Sequence, residues 1–281
     1  SLAPLAEGIG ASIEEVAFGV LRVVNAHMER AIRVISVERG HDPRDFTLVA
    51  FGGAGPMHAC ELAEGLGLPR VLIPHRPGVL SAQGMTMVDV TREYVTTVMV
   101  EEEELMAGID NKFEPLRDQG LTDLGEMGIF ESDISNQCFL DMRYVGQSHE
   151  LSIPYTGPSK TISTFHAAHR KRYGNSHDRP IEVVNVRMKI VGSVAKPVAV
   201  AQMAQGPDST HALIDRRAVF FDGEFLEVDM YDREGLCAGN LVYGPALLLQ
   251  EDSTVVIPVL WSAVVDDYLN LVIEKRGGSI A

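Results

Sequence analysis

Cysteine is scarce in this sequence. Cys60, Cys138 and Cys237 are spread over 281 positions with no CxxC pair among them. That argues against a disulfide framework and a structural zinc site, and it suits a reducing compartment. Positive charge is also in deficit: 24 Lys and Arg stand against 39 Asp and Glu, a formal charge of −15. Nucleic acid and anionic membrane surfaces both need basic patches, so neither is expected as a partner. A small anionic ligand stays open, because backbone amides hold anions without lysines. A charged-then-apolar leader is missing, and so is any apolar run near the ~18 residues of a membrane span. The expectation is a soluble, cytoplasmic chain. What remains is ordinary globular material, with 46% hydrophobic and 22% charged residues. It is enough for one large domain or two.

The first element has a readable start. Ser12 followed by Glu15 forms a capping box, and Ile13, Val16, Ala17, Val20, Val24, Met28, Ala31 and Ile35 recur at helical spacing. Gly40, with Asp42-Pro43 beyond, is placed to end a helix long enough to invite a break near Gly19 or Asn25. Thr47 to Phe51 reads as a short buried strand, followed by the glycine turn of "FGGAGPMHAC", with Pro56 suited to the first helical position. The helix runs to about Leu66, Gly67 closes it, and Val71 to Ile73 makes a second strand. Strand, helix and strand on short links predict a parallel, right-handed βαβ unit. The glycine turn then lies at the carboxyl end of a strand, where open α/β sheets take their ligands.

A short helix around Ser81 to Val88 and a strand at Glu93 to Val100 complete the first region, 1–100. An acidic helical connector is expected over 101–130, and a mostly β domain over 131–281, interrupted by one helix from about Thr161 to Tyr173.

For chemistry, the turn Gly52-Gly53-Ala54-Gly55 leads through Pro56, Met57 and His58 into a helix N-terminus, which receives anions and nucleotides. No Walker lysine follows, and the spacing is not GxGxxG. A turn needed only for close strand–helix packing explains the same glycines. His166 and His169, three apart on a helix, with His177 nearby, have metal-ligand spacing but no HExxH or evident carboxylate, so no metal is assigned. Cys60 has no basic partner in view and reads as a small hydrophobe rather than a nucleophile. Asp141, Arg143 and Glu150 read as a polar strand face. No catalytic residue can be assigned.

The stretches "ERGHDPRDFTLVAFGGAGPMHACELAEGLGLPRVLIPHRPGVLSAQGM", "LDMRYVGQSHEL", "FHAAHRKRYGNSHDRPIEVVNVR" and "GPALLLQEDSTVVIPVLW" together resemble the hydantoinase/oxoprolinase A family over nearly the whole chain. The A-type chains of N-methylhydantoinase and 5-oxoprolinase belong there, as does the related acetone carboxylase subunit. The resemblance implies an actin-like ATPase half-lobe of α/β type with the parallel βαβ unit, followed by a mostly β (α+β) domain. It also implies ATP, Mg²⁺ held mainly by groups outside this chain, a B-type partner subunit, and a cyclic amide such as a hydantoin or 5-oxoproline as substrate. Residues Gly52 to His58 resemble the segment that cradles the adenosine part of the nucleotide. The family's amino-terminal lobe carries a DxGGT-type phosphate loop that this sequence does not contain. On that basis the chain is expected to be the carboxyl-terminal part of a longer enzyme and inactive alone. A subunit-assembly module and part of a ketone carboxylase are the alternatives.

Overall fold

A computed structural model describes residues 2–177, 179–221 and 223–277, which fold as two compact units. The first combines residues 1–85 with 198–281; the second is 86–197.

The first unit opens with helix α1 (Ala3–Ile9) and the long α2 (Ile13–Ile35). The capping box is formed in both directions, Ser12 to Glu15 and back. The helix is unbroken at Gly19 and Asn25, but shorter than the apolar periodicity suggests. It stops at Ser36, whose hydroxyl donates to the Ile32 carbonyl, and a single 3₁₀ turn then ends at Gly40 in the left-handed region, φ 84°.

The apolar stripe of α2 does not face the core. Val16 is its one buried member, while Ile13, Val20, Val24 and Ile35 are 50, 44, 39 and 60% exposed. The opposite face is the one that packs. Phe18 meets the Phe220 ring edge-on, Ile32 packs on the core, and Asn25, Glu29 and Arg33 reach the next helix.

The βαβ unit is present, but its first strand, expected to be buried from Thr47 to Phe51, is a short edge strand with Val49 47% and Phe51 51% exposed, because no strand among the described residues covers its outer side. β1 (Thr47–Val49) and β2 (Arg70–Ile73) pair in parallel, joined by α3 (Gly55–Leu66), which Gly67 closes at φ 70°. The short α4 (Leu80–Met85) follows.

The second unit holds β3 (Val90–Glu101), α5 (Glu102–Ala107), α6 (Glu114–Glu126), β4 (Ile134–Tyr144), β5 (Leu151–Pro154), α7 (Pro158–Tyr173) and β6 (Ile181–Gly192). Its four strands run antiparallel in the order β3-β6-β4-β5. Leu124, Leu140, Tyr144, Phe165, Val186 and Ile190 lie in its core.

The chain then returns to the first unit with β7 (Leu213–Phe221), β8 (Glu224–Asp232), β9 (Leu241–Tyr243), β10 (Ala246–Gln250), β11 (Ser253–Ile257), β12 (Trp261–Val265) and β13 (Leu271–Lys275). Here the structure corrects the three-part division at 100 and 130. β13 pairs antiparallel with β2, Ile273 opposite Val71, and completes a five-stranded sheet β1-β2-β13-β12-β9. The last third of the chain is therefore part of the α/β unit, and its residues Val242, Trp261 and Ile273 share one core with Ala59 and Val71. The segment expected as a connector is instead inside the second unit, with the strand expected near 93–100.

Candidate functional site

The glycine turn is built by three loops of the first unit. After β1, Ala50 still donates to the Leu72 carbonyl, and the chain leaves the sheet at Phe51. Gly52 takes φ 82°, a conformation that side-chain-bearing residues rarely adopt, and its N–H donates to the Pro77 carbonyl at 2.7 Å. That bond ties the turn to the second loop, Pro77-Gly78. The third loop is the hairpin between β10 and β11, at Glu251-Asp252. A Cβ on Gly53 would stand 3.3 Å from the Asp252 carbonyl oxygen; one on Gly78 would stand 2.5 Å from Asp252 Oδ2. Both glycines are therefore needed where the backbone passes Asp252. Gly52 and Gly55 differ, because nothing lies within 4 Å of their Cβ directions. Packing explains Gly53 and Gly78; it does not explain Gly55.

Helix α3 begins at Gly55, one residue earlier than Pro56 predicts. Its N-cap, Ala54, has no side chain to satisfy the first amides. Helix N-termini without a cap present unpaired donors and the positive end of the dipole. Met57 is partly buried and His58 is buried. The His58 Nδ1–H donates to Asn25 Oδ1 at 2.6 Å, because the Asn25 amide nitrogen is already committed as donor to Glu61. His58 is thus positioned by α2, and Asn25 is a residue that sequence reading missed.

Also missed were Asp252 and Ser253. Among the described residues three buried side-chain atoms lack a hydrogen-bond partner: Asp252 Oδ1, Ser253 Oγ and Arg233 Nη1. Two of the three adjoin the glycine turn. The only signal in the sequence is a polar pair between two apolar strands, which any hairpin would show. A shallow depression of about 400 Å³ nearby is lined by Asp232, Glu234, Gln250 and Glu251. Its three carboxylates make it a poor receptor for phosphate, so the glycine turn is the better anion site of the two.

The other candidates do not come together there. Burial pushes the Cys60 thiol up to about 12, so it stays protonated and inert. His166, His169 and His177 belong to the second unit and gather around Tyr144, whose hydroxyl lies 2.6 Å from His166 Nδ1. Both ring nitrogens of His169 are engaged, with Gln147 and the Asn175 carbonyl. Among the described residues no group of three His, Cys, Asp or Glu is arranged to hold a metal. Asp141 is not on an open polar face. It is buried and accepts from Asn185 at 3.1 Å and Arg187 at 3.0 Å.

Comparison with known proteins places the chain in a family. The hydantoinase/oxoprolinase model matches residues 1–94, and the hydantoinase/oxoprolinase C-terminal domain model matches 97–275. The chain belongs to the hydantoinase/oxoprolinase family. An uncharacterised protein of Methanocaldococcus jannaschii is 39% identical over 98% of this chain, and caprolactamase subunit alpha of Pseudomonas jessenii is 28% identical over 93%. The chain spans 40% of the length of each. Among solved structures, nucleotide-free acetone carboxylase superimposes with a TM-score of 0.86 over 96% of this chain and 41% of its own, at 23% identity, a likeness of fold. The ATP-dependent caprolactamase of P. jessenii gives 0.63 over 99% of this chain and 42% of its own, at 26% identity. The fold is thus of α/β, actin-like ATPase type, as the sequence implied.

Proposed function

We propose that this chain is the carboxyl-terminal portion of an ATP-dependent cyclic-amide hydrolase and forms the adenosine side of its nucleotide site. The observation that carries this is the uncapped start of α3 at the end of β1, with open space over Gly52 and Gly55. A nucleotide fits the residues present. Backbone at Gly52, Gly53, Ala54 and Gly55 approaches it without side chains in the way, Pro56 fixes the first turn, and Met57 and His58 support the wall from behind. Sequence identity supports the amide branch, because caprolactam is itself a cyclic amide. The likeness to acetone carboxylase is one of fold and does not favour the carboxylase reading.

Bound ATP with Mg²⁺ would supply a phosphoryl group that converts the unreactive amide oxygen into a leaving group. This chain's part is to hold and orient the nucleoside end. The phosphate and metal ligands, and the B-type subunit, are assigned to the rest of the assembly, and the chain alone is expected to be inactive. Its free thiols suit a cytoplasmic setting.

The test is calorimetric titration with ADP and ATP in the presence of Mg²⁺, on the wild type and on Gly55→Leu. Leucine at 55 enters open space, so the fold should survive while the mouth of the site is filled. Saturable heat that disappears in a normally folded Gly55→Leu supports the reading. No heat at millimolar nucleotide, or equal heat in the variant, overturns it. Gly53→Val is a poorer probe, since it crowds the Asp252 carbonyl as well.

A further inference from the structure

The five-stranded sheet of the first unit has two faces, and the strand registers show what each carries. Leu48, Val71, Ile273, Ala263 and Val242 stand opposite one another from β1 across to β9. That row looks into the core it shares with α3 and β11, and its last four members are fully buried. One residue along each strand, the side chains point the other way. There the register sets Val49, Leu72, Val272, Val264 and Leu241 in a second row, one from every strand. Val49 and Val264 are 47 and 44% exposed, and the other three are half-buried.

A sheet face left to water carries polar residues in alternation with the buried ones. This row is Val or Leu at all five positions. The polar residues stand in the next row of the same face, Thr47, Arg70, Glu274, Ser262 and Tyr243, where Arg70 and Glu274 pair at 2.6 Å. Single exposed apolar residues are ordinary, but five in register across a whole sheet mark a contact surface.

Fold class and length point to the occupant. In α/β folds helices cover both faces of the sheet. Here α3 covers one face, and α2 lies against α3. The fold takes up 41% of the acetone carboxylase chain and 42% of the caprolactamase chain, with 96 and 99% of this chain aligned. In both, more than half of the polypeptide lies outside it and is at hand to supply the second layer. Five strands about 4.8 Å apart make the row a strip about 19 Å long and one side chain wide, the footprint of a single apolar helix stripe. Such a strip falls well short of the ~800 Å² per partner of a free-standing dimer, so a second copy does not account for it. A partner already held elsewhere on the same enzyme needs no more.

We propose that the outer face of this sheet is a docking surface, and that its occupant is the apolar face of a helix from the part of the enzyme outside this chain. The inference rests on the reading of the chain as one portion of a longer enzyme, and it is independent of the nucleotide wall.

The experiment is co-expression of this chain with the rest of the Methanocaldococcus jannaschii relative, the part outside the 40% it matches. Affinity purification tests for a complex, and maleimide labelling of Val264→Cys, read by mass spectrometry, tests the face. Position 264 should label readily in the isolated chain and be protected in the complex. Val264→Lys should leave the melt of the isolated chain unchanged and weaken the complex about tenfold or more, because a lysine beneath an apolar helix loses its water. Val49→Lys, at the far end of the row, should do the same. A wild-type complex in which position 264 stays reactive, or one that tolerates both lysines, overturns the docking surface and leaves the chain's place in a longer enzyme standing. Slow labelling in the isolated chain overturns it too, whether the cover is a second copy or the chain itself. If no complex forms, both readings fall.

Discussion

His58 Nδ1 and Asn25 Oδ1 lie 2.6 Å apart, joining the first turn of α3 to the middle of α2. The bond requires a proton on Nδ1, since the Asn25 amide oxygen can only accept. Asn25→Leu removes the acceptor and strands a buried donor, which should cost on the order of 1–2 kcal/mol of stability. Chemical denaturation of the variant measures it. Asn25→Asp keeps the acceptor for His58 but sets a carboxylate against Glu61, so it should recover only part of the loss.

Gly52 makes a prediction that separates conformation from space. Nothing would obstruct a Cβ there, yet φ is 82°. Gly52→Ala should therefore destabilise by roughly 1 kcal/mol through backbone strain alone. Gly55→Ala, equally unobstructed and helical, should be neutral or slightly stabilising. Thermal melts of the pair settle the point.

Gly120 in α6 tests packing in the second unit. A Cβ there would overlap Ile190 Cδ1 and lie 3.1 Å from the Tyr94 ring, and Ile190 is fully buried. Gly120→Ala should cost about 1–3 kcal/mol as overpacking outweighs the gain in helix propensity. A drop in melting temperature together with a loss of cooperativity would mark the expected strain; an unchanged midpoint would refute it.

Asp141 gives the pH dependence. Burial alone would push its carboxyl up, but hydrogen bonds from Arg187 and Asn185 outweigh that and hold it below the usual carboxylate range. Its folded value is therefore lower than its unfolded value of ~3.9. The stability it adds is fully present above the unfolded value and is lost as pH falls through the folded one. Asp141→Asn should cost on the order of 2 kcal/mol at neutral pH and show a shallower loss of stability as pH falls below about 4. Denaturant midpoints across that range test both halves.

What could be read in advance follows from how local each signal is. The Ser12–Glu15 cap, the Gly67 terminus and the β1-α3-β2 unit all rest on residues close in sequence, and all are present. The division of the chain was not legible. It depends on β13 pairing with β2, almost two hundred residues earlier, and an apolar run such as Leu271–Lys275 looks the same whichever sheet receives it. The same limit applies at the site. The glycines announce a turn, but only the fold brings Asp252 and Gly78 against it. The stripe on α2 was read correctly as a stripe, whereas which face the protein buries was decided by Asn25, Glu29 and Arg33 reaching α3.

That stripe has a consequence for the chain in solution. Val20, Val24 and Ile35 lie on one face of a rod about 3.5 nm long, and contiguous apolar surface of this kind drives self-association. The chain's large negative charge opposes it only at low ionic strength, where repulsion between molecules is unscreened. Raising the salt should therefore make solutions of this chain scatter more light rather than less. Val20→Lys with Val24→Glu should flatten that response without altering the melt.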